Sequence, residues 1–190
     1  MATLTQFNLA ETVAVLTRTP STVDALLRGM PDVWTRSNEG QDSWSAYDIL
    51  GHLIFGERTD WIPRARILLE QGESRAFDPF DRLAQFKESQ GKSLEQLLDE
   101  FARLRKENLA VLEALNLQPG DFRRRGRHPE LGAVTLSELL AAWAVHDLTH
   151  VHQLSRVMAH RYRDAVGPWS AYLGVLQCAG HSAQRLPQAG

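Results

Sequence analysis

His146 and His150 stand four residues apart in the segment Trp143-Ala-Val-His-Asp-Leu-Thr-His-Val-His-Gln153. On an α-helix, at about 100° per residue, that spacing puts both imidazoles on one side, one turn apart. Two imidazoles so placed can share one divalent metal ion. Measured from Leu139, the positions Trp143, His146, His150, Gln153 and Val157 all fall within roughly 40°, on the stripe that faces a core. His152 falls on the far side and is expected to face solvent. His160 lies nearer the stripe, at the helix end.

Neighbouring histidines in an apolar stripe are costly unless their nitrogens are satisfied. A metal satisfies one nitrogen of each ring and favours the neutral form. The other nitrogen then needs an acceptor, for which Asp147 and Gln153 are nearby candidates. Two core histidines bonded to carbonyls or water would meet the same need. A transition-metal site wants at least three protein ligands, with an open position if it does chemistry. His52, in Gly51-His-Leu-Ile-Phe-Gly-Glu57, is the best-placed third candidate, although periodicity leaves it at the edge of its helix's apolar stripe. Glu57, Asp60 and Asp147 are candidates for acids, bases or supports of the ligands. Trp61 and Trp143 are candidates to line an apolar pocket. His128, beside Pro129, reads as a surface-loop histidine, and Cys178 as a buried structural thiol. There is no phosphate-cradling glycine loop, no Gly-x-Ser-x-Gly and no His-Glu-x-x-His.

The elements that must position these residues are helices. Four long helical patterns alternate with Gly/Pro-marked breaks, over about Phe7–Arg28, Ser45–Gln71, Ser93–Leu117 and Thr135–Tyr162. Pro20 threatens the first, and Pro63 should bend or break the second. Ser45 with Asp48, Ser93 with Gln96, and Thr135 with Glu138 have capping-box spacing. Leu94, Leu97, Leu98, Phe101, Leu104, Leu109, Leu112 and Leu115 form a strong stripe on the third. A short fifth helix over about Trp169–Ala179 leads into a polar tail from about residue 181, expected to fray. Amphipathic helices of this length bury their stripes best against each other. The expected architecture is one all-α domain over residues 1–190, a four-helix bundle with long connections at 72–92 and 118–134.

Composition narrows the function classes. The chain has 190 residues, 43% hydrophobic and 23% charged, with a formal net charge of -2. That near-balance argues against a nucleic-acid binder driven by a basic patch. The run Arg123-Arg-Arg125 with Arg127 reads as a solvated loop cluster. A single cysteine excludes an intramolecular disulfide and a multi-cysteine metal site. No stretch approaches the roughly 20 apolar residues of a membrane helix. No signal-peptide pattern opens the chain, so a cytoplasmic protein is expected.

An ordered set of segments resembles the DinB-like superfamily of helical-bundle metalloproteins. The segments are Trp44-Ser-Ala-Tyr-Asp-Ile-Leu-Gly-His52-Leu with Glu57 and Trp61, then Pro79-Phe-Asp-Arg82 and His128-Pro-Glu-Leu-Gly132. The clearest is Leu140-Ala-Ala-Trp-Ala-Val-His146-Asp-Leu-Thr-His150-Val-His-Gln153, followed by Gly167-Pro-Trp169. The resemblance implies an unusual four-helix bundle, often a homodimer. It also implies a three-histidine site with one ligand on the second helix and an H-x-x-x-H pair on the fourth. Residue by residue, these are His52, His146 and His150. Nickel and zinc are the usual ions of similar proteins, and imidazole suits both. Relatives include thiol-dependent transferases and isomerases that use low-molecular-weight thiols. Two kinds of function follow. One is an enzyme whose metal activates a thiol for transfer to a small molecule, or water for hydrolysis. The other is a metal-binding or stress-associated bundle without catalysis.

Overall fold

The computed structural model describes residues 6–40, 43–81 and 83–178. Four long helical rods make a bundle: α1 (Leu9–Leu27), α3 (Ala46–Thr59) continued by α4 (Trp61–Gln71), α6 (Leu94–Ala114) and α7 (Leu136–His160). Two short helices, α2 (Asp32–Thr35) and α5 (Ala84–Ser89), sit in the connections. The expected tail lies outside the described residues, as does Arg82.

Sequence dictates where the rods begin. Asn8 caps α1 by accepting from the Glu11 N–H. Ser45/Asp48, Ser93/Gln96 and Thr135/Glu138 form complete capping boxes on α3, α6 and α7. Each box satisfies two backbone N–H groups that a helix start leaves without partners.

The two prolines act differently. Pro20 sits inside α1 without ending it. Its ring carries no N–H, so the Leu16 carbonyl, one turn back, loses its helical donor. Arg105 Nη1 takes that donor's place at 2.8 Å. Pro63 breaks its rod. In a continuous helix its ring would meet the Thr59 carbonyl, and α3 ends at Thr59. Asp60 (φ -101°, ψ -70°) is the joint, and α4 restarts at Trp61.

The core falls into two apolar halves. Val23, Leu27, Leu50, Leu53, Phe101 and Leu154 belong to one. Leu16, Trp61, Leu68, Leu112, Leu140 and Trp143 belong to the other. Along α3, α6 and α7 the chain passes from one half to the other through Glu57, Arg105 and Asp147, all buried. A polar layer therefore crosses the middle of the bundle.

The connections hold more structure than their sequence suggests. The 118–134 link forms an antiparallel hairpin, β1 (Arg125–His128) with β2 (Gly132–Thr135), register Arg125↔Thr135. Four-residue strands carry too little alternation to stand out. The arginine run is exposed, on this hairpin and the turn before it. In the 72–92 link, α5 lies against α3. The approach needs Gly51, where a Cβ would sit 2.5 Å from Ser89 Oγ. The Tyr47 hydroxyl reaches the Ser89 and Lys92 carbonyls at 2.5 and 2.9 Å, fixing the end of α5. The expected fifth helix is instead two 3-10 segments, Gly167–Tyr172 and Gly174–Leu176. Trp169 and Tyr172 are exposed there, so no buried apolar face supports a regular α-helix. Cys178 is exposed rather than buried. Among the described residues, no helix is long and apolar enough to cross a membrane.

The Gly51 contact is testable. Gly51→Ala should destabilise by about 1–3 kcal/mol, the usual cost of overpacking. Ser89→Ala in the same chain should recover part of it, because the clash is with the hydroxyl. Urea denaturation of the single and double variants measures both; no recovery would place the strain elsewhere.

Candidate metal centre

His52 projects from the middle of α3, and His146 and His150 from successive turns of α7. Their ring nitrogens converge. His146 Nε2 lies 3.0 Å from His52 Nε2 and 3.1 Å from His150 Nε2. One ligand atom from each of the three lies within 4.8 Å of the others. His150 is buried, while His52 and His146 keep partial exposure.

The outer nitrogens fix the chemistry of the inner ones. His52 Nδ1 lies 2.9 Å from Gln85 Oε1, and His150 Nδ1 lies 2.8 Å from Gln153 Oε1. An amide oxygen only accepts, so both Nδ1 atoms donate. Both Nε2 atoms then present lone pairs toward His146. A neutral His146 has one proton at most for its Nε2, so it can bridge to one neighbour and not both. Its own Nδ1 is buried with no hydrogen-bond partner among the described residues. Converging lone pairs that the protein cannot pair among themselves call for an electrophile. Three imidazole nitrogens at this spacing fit a transition ion with ligand bonds of about 2.0–2.1 Å.

The electrostatics favour neutral rings. Burial pushes His146 well below the ordinary imidazole range, and His150, His52 and Arg105 push the same way. Burial also lowers His150, against the Gln153 hydrogen bond and the Asp147 carboxylate. Metal ligation needs the neutral form, so the site is held ready for it.

Aromatic rings enclose the triad. The Trp44 ring centre lies 4.9 Å from that of His52, and 6.4 Å from His150 in near-parallel stacking. Phe80, from the 72–92 link, packs on His52 at 5.3 Å. Trp61 meets His146 at 5.0 Å and stacks on Trp143 at 5.6 Å. Trp61 is the first residue of α4, directly after the joint at Asp60, and is buried.

Other sequence candidates are placed as follows. Gln153 supports His150 as expected. Asp147 does not support a histidine. It accepts from Arg105 Nη1 at 2.6 Å and Nη2 at 2.9 Å. Glu57 accepts from Arg105 Nη2 at 2.7 Å, Trp143 Nε1 at 3.0 Å and Asn108 Nδ2 at 3.0 Å. Burial works against the Arg105 cation, but the hydrogen bonds and charges of Asp147 and Glu57 outweigh it and raise its pKa. Asp60 pairs with Arg64 at 2.9 Å, and burial lifts its carboxyl to about 6 despite that cation. His128 Nδ1 accepts the Glu130 and Leu131 N–H groups and so ties the hairpin turn. His152 is exposed, as its helical face requires.

Sequence reasoning missed Gln85 and Arg105. Gln85 sits in a six-residue helix, too short for a periodic signal. Arg105 left one. It lies four residues after Phe101 and seven before Leu112, on the apolar stripe of α6, where a lone arginine implies buried acids.

A helical bundle with a three-histidine cluster that spans two of its rods defines a class of candidate metalloproteins. The model of the DinB superfamily matches residues 16–154, and the chain belongs to that superfamily. Among solved structures, YfiT from Bacillus subtilis is similar in fold, with a TM-score of 0.67 at 22% identity. The match covers 82% of this chain and 90% of YfiT, which is described as a probable metal-dependent hydrolase with an unusual four-helix bundle topology. No curated protein matches.

Two predictions come from this geometry. Gln85→Leu should weaken metal binding by about 10–100-fold, the usual loss when a ligand's own hydrogen-bond partner is removed. Competition against a chelating dye measures it, and an unchanged affinity would deny Gln85 any role in orienting His52. The second concerns pH. His146 and His150 resist protonation when folded, whereas the unfolded chain takes up those protons below about pH 6.5. Their contribution to stability is therefore complete above that value and lost as pH falls below it. The urea midpoint of metal-free protein should drop between pH 7 and 5, less steeply in His146→Leu. A flat wild-type profile would contradict the burial of neutral rings.

Proposed function

We propose that this protein is a metal-dependent enzyme in which His52, His146 and His150 hold a divalent ion, nickel or zinc. The reaction is transfer of a low-molecular-weight thiol to an electrophilic small molecule. The observation that carries the metal reading is the convergence of three Nε2 atoms, two of them fixed by glutamine acceptors on Nδ1. A divalent ion there supplies Lewis acidity, which lowers the pKa of a thiol or of water.

The chain's own residues favour the thiol. Glu57 and Asp147, the acids nearest the ligands in sequence, are both committed to Arg105. They are not free to take a proton from a nucleophile. Free cysteine-like thiols ionise near 8.5, against about 15.7 for water, so a thiol needs far less help. Trp44, Trp61 and Phe80 give the triad apolar walls suited to excluding water from a reactive thiolate. Hydrolysis is the second reading, favoured by the description of YfiT.

Elemental analysis of tag-free protein, beside His146→Ala and His152→Ala, is the direct test. About one nickel or zinc per chain is expected in wild type and His152→Ala, and none in His146→Ala. Metal-loaded protein should then consume thiol in the presence of an activated electrophile, faster than it hydrolyses an activated ester. The reverse order would select the hydrolase. Failure to retain either metal after incubation with both salts would end the enzyme reading.

A further inference from the structure

The polar layer is unbalanced. Arg105 is 1% exposed, and Glu57 and Asp147 are 2% and 0% exposed. Two carboxylates face one guanidinium there. Every hydrogen-bond partner of those carboxylates is a donor: the Arg105 Nη atoms, Trp143 Nε1 and Asn108 Nδ2. Asn108 is held in that sense because its Nδ2 also donates to the Glu57 backbone carbonyl at 2.7 Å. Among the described residues, a proton on either acid would have no acceptor to meet, and the layer sets two carboxylates against one guanidinium.

A charge left so in the interior is costly unless something offsets it. The layer lies on the same helices as the histidine triad. Asp147 adjoins His146 in sequence, Glu57 is on the helix of His52, and Trp143, which donates to Glu57, stacks on the Trp61 that packs against His146. The three histidines are neutral ligands, so they bring no charge to balance a dication.

We propose that Glu57 and Asp147, bridged by Arg105, are the charge-balancing and positioning residues of the metal centre, their surplus negative charge selecting a dication over a monocation. This rests on the metal-site reading above. It assigns the discrimination by ion charge to residues that touch neither metal nor substrate.

The test compares Zn(II) with Cu(I), the latter under anaerobic conditions, on full-length metal-free protein. Dissociation constants come from chelator competition, and the melting temperature of each metal-free variant is recorded alongside. Glu57→Gln removes one charge and, because every neighbour donates, turns an amide N–H toward a donor, a cost that falls equally on both ions. Its Zn(II) dissociation constant should rise about tenfold. For Cu(I) the rise should be about threefold, because interaction energy scales with the charge of the ion. Should Glu57→Gln not yield folded protein, Asp147→Asn removes the same charge from the other side and carries the same expectation. Equal losses for the two ions would mean the layer only aligns the helices, and unchanged affinities would deny it any part; either result overturns the proposal. Wild-type protein that binds neither ion would overturn the metal-site reading itself.

Discussion

Arg105 brings a full positive charge to the middle of the bundle, where water does not reach it, and each long rod answers it. Leu16 of α1 offers a carbonyl, Glu57 of α3 and Asp147 of α7 offer carboxylates, and the guanidinium itself belongs to α6. Apolar packing between helices tolerates small slides and rotations at little cost. A buried guanidinium with directed bonds does not, since removing one partner of such a pair typically costs about 3–5 kcal/mol. The register of all four rods is thus fixed at one level. That level lies close to the turns that carry His52, His146 and His150. The same register brings ring nitrogens from two separate helices within about 3 Å of one another.

Around that constraint the site divides its work by element. α7 supplies two histidines and the glutamine for one of them, so that half is set by helix geometry alone. The other half depends on tertiary contact. His52 is oriented by Gln85 from α5, which reaches it only because Gly51 lets α5 approach. Trp61 follows the joint at Asp60, and Phe80 comes from the 72–92 link. One long helix provides the histidine pair, and a short helix with the connections provides the support of His52 and much of the enclosure.

The legibility of the sequence follows the same division. The three capping boxes and the α7 histidine face could be read directly, because helix starts and helical faces are local properties. His52 lay at the edge of its stripe, and only the resemblance to a family raised it to a ligand. Gln85 could not be read, because its partner comes from a distant segment. Pro63 predicts a break, and the break falls at Asp60, set by the Thr59 carbonyl its ring would strike. Pro20 endangers α1 by its sequence, yet the helix continues through it, and a side chain from α6 serves the carbonyl that Pro20 cannot. Glu57 and Asp147 were visible as acids near the ligands. Their partner Arg105 was missed, although an arginine on an apolar face is a legible signal, and linking the three required the packing of α3, α6 and α7.

The bond from Arg105 to Leu16 also ties two distant positions of the gene together. Separately, a proline within a helix and an arginine within a core are each defects. Here the vacancy left by one is filled by the donor of the other. A sequence that lost the arginine would strand the carbonyl together with two buried carboxylates, whereas one that lost the proline would only add a second donor to an oxygen with two lone pairs. The dependence runs one way: proline at residue 20 is tolerated while residue 105 is arginine, a case of epistasis whose origin is one missing N–H.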